Sequence, residues 1–185
     1  MLISPANNAL VTNYLPRLDW SNATAAHHYQ IQVSKYSTFT SLVLDRNNLT
    51  TSEYTLTSAL APNATWYWRV RTINSIGQVS AWSLVRTFRT KLSKPVAIAP
   101  IGGVKVTTLR PAFRWNAVSG ATGYTIQVST GSGFTSFLVN ATLSALTSYT
   151  PPTNLPAART LYWRLRANGT NGPSDWMTTA TFKTP

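Results

Sequence analysis

The chain has no cysteine, four acidic residues and two histidines in 185 residues, and it carries no long apolar run. Without cysteine there is no disulfide framework and no thiolate metal site. No stretch approaches the roughly 20 apolar residues of a membrane-crossing helix. The opening Met1–Leu10 segment lacks the basic and apolar regions of a secretory signal. Charged residues make up 11% of the chain. That is less than half the usual share, which excludes a coiled coil and a charged disordered segment. Serine and threonine take the space instead, at 46 residues.

What the chain does have is itself, twice. Shifted by 95 positions it matches its own sequence without a gap for more than seventy residues. Pro16-Arg-Leu-Asp-Trp20 meets Pro111-Ala-Phe-Arg-Trp115, and Tyr29-Gln-Ile-Gln-Val-Ser34 meets Tyr124-Thr-Ile-Gln-Val-Ser129. Thr65-Trp-Tyr-Trp-Arg-Val-Arg71 meets Thr160-Leu-Tyr-Trp-Arg-Leu-Arg166. One residue drops out after Gly77 and Gly172, and Ser80-Ala-Trp82 then pairs with Ser174-Asp-Trp176. The reading is two homologous domains, 1–90 and 96–185, joined by a 91–95 linker that ends in Pro95.

Within each copy apolar residues recur every second position, the strand period. Leu18 and Trp20 alternate with Arg17 and Asp19, and Trp66, Trp68 and Val70 alternate with Tyr67, Arg69 and Arg71. Turn clusters such as Ser21–Thr24, Ala61–Asn63 and Asn74–Gly77 separate the runs. This pattern predicts an all-β fold of two tandem seven-stranded antiparallel β-sandwiches.

These residues resemble the fibronectin type III domain, an immunoglobulin-like sandwich, over nearly the whole chain and twice. The resemblance rests on Trp20 and Trp115 of strand B, the Tyr54-Thr55 signal of strand E and Leu60-Ala-Pro62 before strand F. The series Trp66, Trp68, Val70, Thr72 of strand F completes it. The local wording, such as Thr-x-Tyr-Trp-Arg-x-Arg, looks like the bacterial branch of the family. One departure stands out: Trp66 and Leu161 occupy the place of the family's corner tyrosine. The resemblance therefore implies that the corner hydrogen bond is absent or made by another group.

Five of the seven tryptophans, Trp20, Trp66, Trp68, Trp115 and Trp163, fall on inward positions and read as core. Burying one such ring is worth roughly 4–6 kcal/mol as an upper value. Trp82 and Trp176 differ, because each follows the strand F–G turn while Arg-x-Arg lies on the outer face of strand F. The setting is similar to the tryptophan–arginine ladder of class I cytokine receptor domains, whose WSxWS motif is half present as Ser80-Ala81-Trp82-Ser83. The likeness implies a structural ladder of Tyr67, Arg69, Arg71 and Trp82, repeated by Tyr162, Arg164, Arg166 and Trp176, with Met177 replacing the trailing serine in the second copy.

The acids Asp19, Asp45, Glu53 and Asp175 stand opposite Arg114, Asn140, Ser148 and Ala81 in the other copy, so no carboxylate pair recurs. Asp19 and Glu53 can approach each other on neighbouring strands, but a convex sandwich face offers no cleft for a carboxylate pair. His27-His28 has no third ligand at metal spacing. The chain reads as non-catalytic, without cofactor or metal. Its net charge of +12 favours weak binding of polyanions, without the motifs of sequence-specific nucleic-acid recognition. The expectation is a structural or interaction module (spacer, adhesion or assembly repeat) of an extracellular or cell-surface protein, with a protein, a cell-surface polysaccharide or another copy of itself as partner. The alternatives are a subunit of a self-assembling surface filament or layer, and an accessory carbohydrate- or polyanion-binding module of a secreted enzyme. For the last, Tyr14 and Tyr36 are the exposed aromatics available. A loop-tip contact would fall on His27, His28, Ile76 and Gln78.

Overall fold

The computed structural model describes residues 1–24 and 26–185. The chain divides into two compact units, Met1–Lys91 and Leu92–Pro185. The first holds strands β1 (Leu2–Ser4), β2 (Ala9–Val11), β3 (Arg17–Trp20), β4 (His28–Ser34), β5 (Leu42–Leu49), β6 (Glu53–Thr55), β7 (Thr65–Ile73) and β8 (Arg86–Thr90). The second repeats them as β9 (Ala97–Ala99), β10 (Val104–Lys105), β11 (Phe113–Trp115), β12 (Gly123–Ser129), β13 (Val139–Ser144), β14 (Ser148–Tyr149), β15 (Thr160–Asn168) and β16 (Ala180–Lys183).

Each unit is a sandwich of a three-stranded and a five-stranded sheet. The first unit pairs β1-β3-β6 over β2-β8-β7-β4-β5; the second pairs β9-β11-β14 over β10-β16-β15-β12-β13. Eight strands stand where seven are expected, because the opening strand is split between the sheets. β1 runs antiparallel to β3, whereas β2 runs parallel to β8. Pro5 and Pro100 follow the first halves and have no N–H to continue the ladder. The chain therefore crosses over, turning through positive φ at Asn8 and at Gly102 and Gly103.

The cores sit between the sheets. Trp20, Trp66 and Trp68 in the first unit, and Trp115 and Trp163 in the second, are at most 4% exposed. Trp20 packs edge-on against Tyr29, and Trp115 against Tyr124, with ring centroids 5.5 and 5.3 Å apart. Both tyrosine hydroxyls also accept a backbone N–H, from Ala23 and Val118 respectively, each at 2.9 Å. Leu92, placed in the linker by sequence, packs in the core of the second unit.

The corner before β7 is held without a tyrosine. Thr90 is fully buried; its hydroxyl donates to the Ala61 carbonyl at 2.7 Å and accepts from the Ala64 N–H at 3.1 Å. Thr184 does the same for Pro156 and Arg159 at 2.7 and 3.0 Å. A threonine at the end of the last strand thus ties the corner that the resemblance would give to a tyrosine.

Candidate functional site

The most concentrated group of polar and aromatic side chains in each unit lies on the outer face of the five-stranded sheet. It is positioned by a backbone bracket. Beyond β7 the returning chain leaves regular strand geometry at residues 80–85, and serines close the ladder. Ser80 N–H donates to the Thr72 carbonyl at 3.0 Å, and Thr72 N–H donates to Ser80 Oγ at 3.0 Å. Ser83 N–H donates to the Val70 carbonyl at 2.8 Å, and Val70 N–H to Ser83 Oγ at 3.1 Å. Each hydroxyl oxygen replaces the carbonyl that a regular strand would offer, which satisfies the β7 backbone. Trp82 is held between them. In the second unit Ser174 makes both bonds with Ala167, at 2.8 and 2.9 Å. Met177, in the place of the second serine, keeps the N–H bond to Leu165 and buries its side chain in the core.

Arginines then clasp the indole. The Arg69 and Arg71 guanidinium carbons lie 4.3 and 4.5 Å from the Trp82 ring centroid. Arg164 and Arg166 lie 4.4 and 4.7 Å from that of Trp176. Contacts of this kind are worth about 0.5–1 kcal/mol each at partly exposed sites. A second ring extends each stack: Phe39 under Arg69 at 4.0 Å, and Phe134 under Arg164 at 4.1 Å. Both phenylalanines take a left-handed backbone, φ 56° and 51°, which is unfavourable for a bulky residue. Tyr67 and Tyr162 stand half-buried on the same strands and make no ring contact in the stacks among the described residues.

Below the stack the two units part. Arg69 donates through Nε and Nη2 to Gln32 Oε1, at 3.0 and 2.8 Å, and Arg71 Nε donates to Gln30 Oε1 at 2.8 Å. Both glutamines in turn donate to Asp45, at 2.6 Å from Gln30 and 3.0 Å from Gln32. One carboxylate thereby orients two amides and offsets two cations. In the second unit Arg164 Nε donates to Gln127 Oε1 at 2.8 Å, and Gln127 donates to Asn140 at 3.2 Å. Thr125 replaces Gln30 and turns to Asn168 instead. Arg166 Nε is left buried with no acceptor.

The electrostatics follow. Burial, and then the neighbouring Arg71, lower the pKa of Arg69, while Asp45 acts in the opposite sense. Burial and Arg166 lower that of Arg164. Both groups stay charged at any ordinary pH.

The remaining predicted residues separate into two places. Asp19 and Glu53 do come together, in register on β3 and β6, but around Arg17: Glu53 accepts its hydrogen bond, and Asp19 lies 3.9 Å from it. At the other place, His27 N–H donates to the Ile73 carbonyl at 2.9 Å, and the two histidine Nδ1 atoms are 3.0 Å apart. His28 belongs to β4 rather than to the loop. Alongside, Asn74 Oδ1 accepts from Ile76 and Gln78 N–H at 3.2 and 2.9 Å, which tightens the loop and leaves Ile76 76% exposed. Among the described residues no group of three His, Cys, Asp or Glu gathers around a metal-sized space. Tyr14, expected to be exposed, is half-buried and bonded to the Lys91 carbonyl at 2.8 Å; the exposed aromatics are Tyr36 and Phe137.

Residues 5–94 and 102–185 each match the family described as the Rha78A-like, N-terminal immunoglobulin domain. The chain belongs to that family. No curated protein matches the sequence. Among solved structures, the selenomethionine-substituted chicken interferon gamma receptor alpha chain aligns over 100% of this chain and 98% of its own, with a TM-score of 0.56 and 11% identity. The FN1–FN3 domains of chicken CNTN1 align over 94% of this chain and 63% of that one, with a TM-score of 0.45 and 18% identity. The receptor alignment establishes the sandwich fold shared by fibronectin type III and immunoglobulin-like domains, and the family match sets that fold twice in this chain.

Proposed function

We propose that the chain is a non-catalytic structural and interaction module, two braced sandwiches that space or present other parts of an extracellular or cell-surface protein. The observation that carries this reading is where the acids of the first unit go. Asp45 anchors the glutamines under the arginines, and Asp19 and Glu53 engage Arg17. Carboxylates committed in this way brace a surface instead of meeting across a cleft for acid–base work. The family description, an N-terminal immunoglobulin domain, supports a part played within a longer architecture. The excess of basic over acidic residues favours an anionic protein or polysaccharide as the surface it meets.

A thermal-shift screen of the purified chain against small sugars, nucleotides and metal ions tests the reading. The expected result is no shift in either unit. A ligand at a hundred times its Kd would add about 2.7 kcal/mol and raise the melting temperature visibly, which would overturn the module reading.

A further inference from the structure

The two stacks present the same cations with unequal counter-charge. Eight of the sixteen basic residues lie in each unit, but three of the four acids lie in the first and one, Asp175, in the second. On the sheet face the contrast is sharper. Asp45 stands opposite Gln32 on β5, and Asn140 stands opposite Gln127 on β13 at the same place in the register. Asn140 has a neutral carboxamide where the first unit has a carboxylate. Thr125 has a short hydroxyl where the first unit has the amide that receives Arg71. Arg166 is stacked on Trp176, and its buried Nε has no hydrogen-bond acceptor among the described residues. Arg166 is only partly buried, so its terminal N–H groups stay open to solvent although Nε does not, and a carboxylate is the group whose paired oxygens fit that edge.

We propose that the outer face of the second unit, centred on Arg164 and Arg166, binds the carboxylates of an acidic peptide segment, and that Asp45 closes the same face of the first unit to it. The two guanidinium groups stack on one indole from positions two residues apart on β15, and alternate side chains of a strand repeat at about 7 Å, the same repeat that an extended peptide carries. A segment with Asp or Glu at every second position therefore places one carboxylate on each arginine. The inference rests on the module reading above but is tested apart from it.

The test is a fluorescence titration of the full chain with a synthetic alternating Glu-Thr octapeptide at low salt, read from the tryptophans. One site is expected. Asn140→Asp supplies the missing carboxylate from within and should weaken binding about tenfold while both arginines remain. Asp45→Asn should open the first unit and raise the stoichiometry from one to two. Lys105→Gln removes one positive charge away from the stack and should change affinity less than twofold. Equal losses for Lys105→Gln and Asn140→Asp would mean attraction by net charge alone and overturn the proposal. So would an unchanged affinity in Asn140→Asp, or no binding at all to the unaltered chain. None of these results bears on the module reading, which the thermal-shift screen tests separately.

Discussion

The two units use one scaffold and disagree on how to settle its polar groups. Trp68 and Trp163 occupy the same fully buried position, yet Trp163 Nε1 donates to the Pro100 carbonyl at 2.7 Å while Trp68 Nε1 has no partner among the described residues. In the first unit Arg86 reaches to that region and donates to the Ile3 and Pro5 carbonyls at 2.7 and 3.3 Å. Its counterpart in the second unit is Ala180, which leaves the proline carbonyl to the indole. The stacks follow the same logic, with Asp45 and Gln30 beneath one and Asn140 and Thr125 beneath the other. Most backbone requirements are met alike in both copies, by Ser80 and Ser174 and by Thr90 and Thr184, and the exception is the Ser83 hydroxyl, whose place Met177 takes. Side-chain requirements are met locally and differently. Backbone groups must be paired wherever strands end, whereas the partner of a side chain can change with one neighbouring residue.

The strongest way to break the comparison is at the tryptophans. Truncating either Trp68 or Trp163 to alanine should cost about 3–5 kcal/mol and unfold the unit that carries it. Replacement by phenylalanine separates the two. Trp163→Phe leaves the Pro100 carbonyl without its donor and should cost about 1–3 kcal/mol more than Trp68→Phe, which removes an N–H that had no partner. Hydrogen exchange resolved by unit measures both. Equal losses would mean that the indole–carbonyl bond does not distinguish the cores.

Ser174→Ala comes next. Ser174 is 5% exposed and its hydroxyl accepts from a buried N–H, so its loss should cost about 1–3 kcal/mol. Ser80 makes the same bonds at an exposed position, where water can replace it, and Ser80→Ala should stay below about 1 kcal/mol. In the stacks, Trp82→Ala and Trp176→Ala each remove two guanidinium contacts, about 1–2 kcal/mol. Phe39→Gly should cost about 1 kcal/mol less than Phe39→Ala, because glycine takes φ 56° without strain. Denaturant midpoints for the six variants check the order.

Much of this was legible in the sequence because it depends on period and repetition. Alternation placed Trp20, Trp66, Trp68, Trp115 and Trp163 inward, and the half-present WSxWS run marked Trp82 beside the arginines of β7. What escaped was whatever depends on three-dimensional closure. Phe39 and Phe134 reach the stacks from loops by way of a left-handed backbone, which residue type does not announce. The Gln30–Gln32–Asp45 network joins adjacent strands whose register is set only on pairing. The split opening strand escaped too, although Pro5 and Pro100 were in plain view. A proline says that one ladder stops, not that the other sheet receives the chain.

The smallest expected effect is also the most discriminating, since it reverses sign between the units. Tyr54 on β6 and Tyr149 on β14 are counterparts. The Arg46 guanidinium beside Tyr54 lowers its pKa below 10.0, burial acts against this, and Thr57 assists. In the second unit the positions of Arg46 and Thr57 are held by Ala141 and Pro152. Burial then acts alone and raises the pKa of Tyr149 above 10.0. A folded-state pKa below the unfolded value adds stability that is present above pH 10 and lost as pH falls through the folded pKa. A raised one adds stability that is present below pH 10 and lost as pH rises through the folded pKa. As pH rises toward 10, Tyr54 should therefore support the first unit increasingly, and as it rises beyond 10, Tyr149 should support the second less and less. Phenolate absorbance should show Tyr54 ionising before Tyr149, with Tyr54→Phe and Tyr149→Phe assigning the two. Arg46→Ala should move Tyr54 toward its counterpart. If both tyrosines ionised together in the unaltered chain, the Arg46 contact would not set the two units apart.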